Sequence, residues 1–326
     1  MGTRWNRVII AAVLSVGCGS LAFMSPGAAS ASTRGSDTTS VLTWSEPLPV
    51  VAGGVETNSV SCPAKKFCVA VGNTEALTYD GKKWSAPFDV NEDLLSVSCA
   101  SDTYCVAVDS YGGEETYNGK AFSIPETVAP AVPLDSVSCP TTTFCAAVGG
   151  ADALTSSGRK WNAPTVIDSG YQDTLLAVSC ATSTFCVAVD AGGQAITYNG
   201  STWSSPAVID AGNQLTAVSC PSTTFCAAVD SAGNILGYNG TAWAAPVNID
   251  GLNFLSSVSC RSSAFCISVD YDNYGAYGHI IQTPGAAAGT VLPIDTSDMD
   301  LTSVSCATDT FCAAVDTYGN YMVSSS

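Results

Sequence analysis

One unit recurs seven times along this chain, most cleanly over residues 215–250 as LTAVSCPSTTFCAAVDSAGNILGYNGTAWAAPVNID. A unit this short cannot bury a hydrophobic face by itself, so copies must stack on one another to make a core. The copies open at Cys62, Cys99, Cys139, Cys180, Cys220, Cys260 and Cys306, with successive spacings of 37, 40, 41, 40, 40 and 46 residues. Each opening cysteine has a partner six positions on, at Cys68, Cys105, Cys145, Cys186, Cys226, Cys266 and Cys312. A length of 326 residues would admit two ordinary domains, but an uninterrupted repeat argues for one closed or stacked array.

Residues 1–31 read as an export signal. Arg4 and Arg7 precede the apolar run from Val8 to Val16, and Ala29-Ser30-Ala31 offers a small-residue cleavage site. Residues 32–40 are then expected as a flexible tail, and the mature chain as secreted. Cys18, in LSVGCGS, loosely resembles a lipoprotein cleavage box and gives the alternative of a lipid anchor. No later stretch is long and apolar enough for a transmembrane helix. Past Cys18, fourteen cysteines fall into seven local pairs, which in an exported protein is a disulfide framework. Zinc sites favour shorter cysteine spacings with two pairs converging, and no C-x-x-C occurs.

Beyond the first 31 residues, 9 basic and 28 acidic residues leave a charge of −19. Nucleic acid and anionic membrane surfaces repel such a chain. Solubility explains the acidity, and a cationic partner or calcium is the sharper alternative. Charged residues are only 12% of the whole, with small residues filling the gaps between apolar runs. That is a composition for strands and tight turns.

Each repeat reads as four β-segments. In the fifth copy the first ends at Cys220, and a five-residue connector leads to the second, Phe225 to Asp230. A glycine-containing turn precedes Ile235 to Tyr238, and Asn239-Gly240 predicts a two-residue hairpin into the strand carrying Trp243 and Pro246. Four antiparallel strands in this length make a β-propeller blade. The last copy stops without a fourth strand, while Trp44-Ser-Glu-Pro47 near the N-terminus has the fourth-strand pattern of Trp203 and Pro206. The prediction is an all-β, seven-bladed propeller of four-stranded blades over residues 41–326. Residues 41–50 complete the last blade and close the ring, and one disulfide staples each blade.

With Ser219-Cys220, Phe225-Cys226, Ala228-Val229-Asp230 and Tyr238-Asn239-Gly240 before Trp243 and Pro246, the chain resembles secreted bacterial seven-bladed β-propeller repeat proteins. It lacks the Trp-Asp and Gly-His signatures of WD repeats and the Asp-box order of sialidases. Propellers serve many functions, so the resemblance by itself implies none.

Chemistry-bearing residues are sparse. His279 is the one histidine, which excludes a multi-histidine metal centre. Alternation places it on a strand, where a lone histidine is more often packed than functional. Arg34, Arg159 and Arg261 are too few for a substrate-carboxylate clamp, and no nucleophile–base set stands out. The second strand ends in Asp at 109, 190, 230, 270 and 316, and the fourth near Asp at 168, 210, 250 and 295. Both series are expected on one face of the ring, mainly as acceptors in Asx-type turns. Calcium is the sharper reading, with Asp270, Asp272, Asp298 and Asp300 as the densest oxygen set. Blade six breaks the repeat with Tyr271, Asp272, Asn273, Tyr274, Tyr277 and His279 in an extended turn, and with Pro284 to Gly289 lengthening its next connection. Blade two offers Tyr111. Loops of this kind carry function more often than scaffold positions do, although drift in a tolerant loop explains the same pattern. Tryptophans 44, 84, 161, 203 and 243 fit a sugar-per-blade lectin, but packing between blades is the preferred reading.

The functional expectation is a monomeric, non-enzymatic scaffold recognising an extracellular glycan or protein through these loops, with no cofactor beyond calcium. The alternatives are a polysaccharide hydrolase or lyase working through carboxylates at the central channel, or a purely structural surface protein.

Overall fold

A computed structural model of the chain describes residues 42–49, 56–90, 92–170, 174–271, 276–281, 290–295 and 300–325, all within one compact unit. Every regular element among them is a β-strand, and the strands form seven antiparallel sheets, each a four-stranded meander. In sequence order the blades are 59–89, 94–127, 136–166, 175–208, 215–248, 254–295 and 301–325, the last completed by residues 43–49. First strands of successive blades contact one another right round the molecule, from blade one to blade seven and back. This is the seven-bladed propeller that the repeat predicts.

The repeat's small residues have a packing reason. Blades stack face to face, so a second strand is buried on both sides. In blade five, Cys226 and Ala228 point into the seam with blade four, while Ala227 and Val229 point into the seam with blade six. The two-residue alternation of a strand thus feeds two cores at once. Each disulfide sits in such a seam, with the second cysteine of every pair fully buried.

Ring continuity rests on the serine before each opening cysteine. Ser61, Ser98, Ser138, Ser179, Ser219 and Ser259 accept the backbone N–H of the next blade's opening cysteine at 2.9–3.0 Å. Ser305 closes the circuit by accepting from Cys62 N at 2.9 Å. The inner strands would otherwise leave these N–H groups unpaired, and one hydroxyl per blade answers that need.

The missing fourth strand of blade seven is supplied from the N-terminus. Thr43 and Trp44 pair with Ser325 and Ser324, and Leu48 and Pro49 with Tyr321 and Asn320. Leu42 lies 3% exposed in the blade six–seven core beside Met322 and Leu301.

The tryptophans take the packing role. Tyr198 lies 5.2 Å from Trp203 of its own blade and 6.1 Å from Phe144 of the preceding one. Tyr238 repeats this with Trp243 and Phe185, and Tyr79 with Trp84 and Phe311.

Several local details differ from the sequence reading. First strands continue past the cysteine: Leu215–Ser222 pairs with Phe225–Asp230 across a register shift after Ser219. The connector is therefore a two-residue turn closed by a bulge, not five residues of loop. The Asn-Gly loop is four residues long, because Tyr238 bridges Trp243 and the Asn239 side chain accepts from Thr241 and Ala242 N–H. An Asx turn widens the hairpin. The regular fourth strand, Val247–Asn248, follows the Trp-Pro element instead of containing it. In blade six, Thr290–Asp295 pairs with Ala276–Ile281 as the fourth strand. In sequence the insertion at 284–289 therefore falls between the third and fourth strands of blade six, not in the next connection, and its residues lie outside the described set.

Candidate functional site

Members of the two aspartate series meet at two blade seams, four–five and five–six. At the end of the second strand in blades two, four, five and seven the carboxylate folds over its own turn. Asp109 accepts from Tyr111 and Gly113 N–H, Asp190 from Gly192 and Gln194, Asp230 from Ala232 and Asn234, and Asp316 from Tyr318 and Asn320. The turn has the form D-x-x-G followed by Asn, Gln or Gly. Its glycine is required: Gly193 has φ +79°, and a Cβ there would stand 1.9 Å from the Asp210 carbonyl oxygen. That close approach lets the Gly193 carbonyl accept from Ile209 and Asp210 N–H. The fourth-strand aspartate is thereby fixed over the next blade's second strand.

At the blade four–five seam this places Asp210 beside Asp230. Burial, then the neighbouring Asp230 carboxylate, pushes the Asp210 carboxyl up to about 6. Asp230 accepts three N–H bonds, two from backbone and one from Asn234 Nδ2. A carboxyl whose folded pKa is raised binds a proton that the unfolded chain has released. Its contribution to stability therefore falls as pH rises from about 4 through 6 and is flat above that. Asp210→Asn holds the donor permanently. It is expected to be more stable than the parent at pH 7, with the difference shrinking toward pH 4. Urea melts across that range check it, and a variant less stable at every pH would refute the raised carboxyl.

The blade five–six seam is built differently. Asp250 is fixed by the Gly233 carbonyl through its own N–H, and Asn253 Nδ2 donates to its Oδ1 at 3.2 Å. Asp270 ends the second strand of blade six, but the following turn is three residues longer than in blade five. The bond that the fourth residue on makes elsewhere is made here by Tyr277 N, at 2.7 Å from Asp270 Oδ1. Two residues further, on the same face of the third strand, stands His279, 2% exposed and opposite Ser268. His279 Nε2 lies 3.1 Å from Asp250 Oδ2. Asp250, Asp270 and His279 each present a ligand atom, all within 4.8 Å of one another. Burial chiefly, opposed by the Tyr277 N–H and reinforced by the nearby Asp250 charge, pushes Asp270 up to about 7.

The residues singled out in the sequence are thus divided. Asp270, Tyr277 and His279 come together. Tyr271 ends its strand opposite Phe254. Asp272, Asn273, Tyr274 and Asp298 lie outside the described residues. Asp300 is half-buried, its carbonyl accepting from Thr317 N on blade seven. Tyr111 stands 71% exposed on the turn of blade two, away from this seam. Sequence reasoning placed Asp250 only among turn acceptors. Its pairing partner could have been suspected from the one blade in which a histidine takes the place of Leu77, Ile196 and Leu236.

Two grooves also open at seams. One of about 590 Å³ lies between blades five and six on the opposite face, lined by Phe225, Tyr238, Trp243 and Arg261. One of about 630 Å³ lies between blades three and four against Tyr198 and Trp203.

Fold and site together define a seven-bladed, disulfide-stapled β-propeller with acid pairs at its seams. No family model matches the chain, and no curated protein matches it in sequence. Solved structures do resemble it. YCF48 from Cyanidioschyzon merolae superposes with a TM-score of 0.66 at 13% identity, over 86% of this chain and 98% of that one. U3-55K gives 0.70 at 8% identity, over 86% and 98%. YCF48 bound to a D1 peptide gives 0.67 at 12% identity, over 87% and 95%. Identities this low establish the shared propeller and nothing finer.

Proposed function

We propose that this chain is a secreted, non-enzymatic binding propeller that recognises an extracellular protein or peptide. The observation that carries the reading is how the repeat spends its polar and aromatic residues. Its tryptophans, the tyrosines that end the third strands and its turn aspartates are taken up in packing and turns, while large side chains stand in solvent on the turn face. Leu252, in the blade five–six connection, is 90% exposed, Phe254, which opens the first strand of blade six, 37%, and Tyr318 is 58% exposed on the turn of blade seven. Exposed aromatic and large apolar groups are what protein interfaces use as anchors. The seven cysteine pairs suit an oxidising compartment, and an arginine-led apolar N-terminus suits export. A structurally similar propeller, YCF48, has been solved with a peptide bound.

A glycan is the second reading, favoured by the groove in which Tyr238 and Trp243 stand beside Arg261. Pull-down of surface proteins and a glycan array, each with the parent chain, separate the two. Leu252→Asp with Tyr318→Ala is expected to abolish protein capture and leave folding intact. Arg261→Ala would instead weaken a glycan bound in the groove. Absence of any ligand on either panel would overturn the binding role in favour of a purely structural one.

A further inference from the structure

The geometry points to a divalent transition-metal site at the blade five–six seam, formed by Asp250, Asp270 and His279. In blades one, three, four, five and seven, the third-strand position facing the preceding blade holds Leu77, Leu154, Ile196, Leu236 or Met322. Each is buried and paired with an alanine of the second strand. Blade six has His279 there, and Ser268 in place of the alanine. The exchange inserts one imidazole beside the acid pair, where the corresponding position of blade five holds Leu236.

Three features make this more than a cluster of acids. First, each carboxylate has one oxygen already held by a donor: Asn253 Nδ2 on Asp250 Oδ1, and Tyr277 N on Asp270 Oδ1. Outer donors of this kind orient metal-ligating carboxylates and leave the second oxygen for the ion. Second, the remaining atoms, Asp250 Oδ2, Asp270 Oδ2 and His279 Nε2, are buried and have no hydrogen-bond partner. His279 Nε2 and Asp250 Oδ2 are only 3.1 Å apart, yet they are not aligned to bond each other. Buried polar atoms left in that state are rare, because each costs the free energy of a lost hydrogen bond. Third, the spacing suits an ion. Zinc bonds nitrogen and carboxylate oxygen at about 2.0–2.2 Å, so tetrahedral ligands stand roughly 3.4 Å apart. Small side-chain rotations bring a set within 4.8 Å to that spacing.

The donor chemistry also selects the ion. Two carboxylates and one imidazole balance a +2 charge, and the nitrogen favours zinc and its neighbours over calcium. Calcium requires six to eight oxygens. Three protein donors leave one tetrahedral position for water, and the ion ties the end of blade five to two strands of blade six. The proposal is independent of what the propeller binds on its exposed face.

The test uses the mature chain, residues 32–326, stripped with chelator and titrated with Zn²⁺ by calorimetry, with metal counted by mass spectrometry. One zinc per chain and a rise in Tm on zinc addition are expected, with no comparable rise on Ca²⁺. His279→Leu places in blade six the residue that blades one and five carry, so this variant is expected to fold and to lose the zinc. Asp270→Asn should lose it too, and Asn253→Ala should weaken binding about 10-fold. Co²⁺ in place of zinc should give the parent a visible four-coordinate spectrum that His279→Leu lacks. Zinc bound equally by His279→Leu and Asp270→Asn would mean an adventitious ion only, and overturn the proposal. So would a parent that takes up no zinc.

Discussion

Deleting residues 42–49 is expected to lower the melting temperature of this propeller by roughly 10 °C or more and to broaden its unfolding. The segment is remote in sequence from its partners but central to them in space. It covers the outer edge of Asn320–Ser325 through two short ladders. A further hydrogen bond runs from Ser45 N to the Val323 carbonyl at 3.0 Å, and Val323 N returns one to Ser45 Oγ. Without the segment, blade seven presents an unpaired strand edge, which invites fraying and aggregation. Leu42 also leaves the blade six–seven core, and emptying a buried leucine site alone costs about 2–5 kcal/mol. Appending the same segment after Ser326 through a flexible linker should restore much of the lost stability. If the truncated chain melts like the parent, ring closure through this strand contributes nothing and the argument fails.

The second large effect concerns the staples. Replacing Cys220 and Cys226 by alanine should destabilise the protein by roughly 2–2.5 kcal/mol, from loop entropy in the unfolded chain. Reducing all seven bridges should do far more than any single replacement. The reason is packing as well as entropy. The sulfurs fill the seams, and in blade four the first cysteine faces the second directly across the strand pair. Denaturant melts of the paired variant and of the reduced protein measure both. Thiol titration of residues 32–326, unfolded without reductant, should find no reactive cysteine. A reduced protein as stable as the oxidised one would show that stacking alone holds the blades.

Much of the fold was legible because its determinants are local and repeated. Cysteine pairs six apart force a hairpin, Asn-Gly forces a turn, and alternation assigns faces. The turn aspartates were read correctly for the same reason: Asp230, Ala232 and Asn234 lie within one turn. Errors arose where neighbouring strands decide. The bulge after Ser219 depends on how the first strand matches the second. The position of 284–289 depends on Thr290–Asp295 finding Ala276–Ile281. In blade six the longer turn hid the equivalence of Tyr277 with Asn234.

The sequence by itself determined the number of blades, their staples and the strand that closes the ring, because each is written as a spacing within one repeat or as a missing piece of it. The tertiary structure decided which copies of those residues meet. Ser219 answers Cys260 N–H, the Asp230 carboxylate raises the Asp210 carboxyl, and Asp250 reaches His279. The physical reason is that a repeat fixes each residue's place in its own blade, whereas hydrogen bonds, proton sharing and metal coordination act over a few ångströms. Only the stacking of one blade on the next brings the side chains of different repeats within that reach.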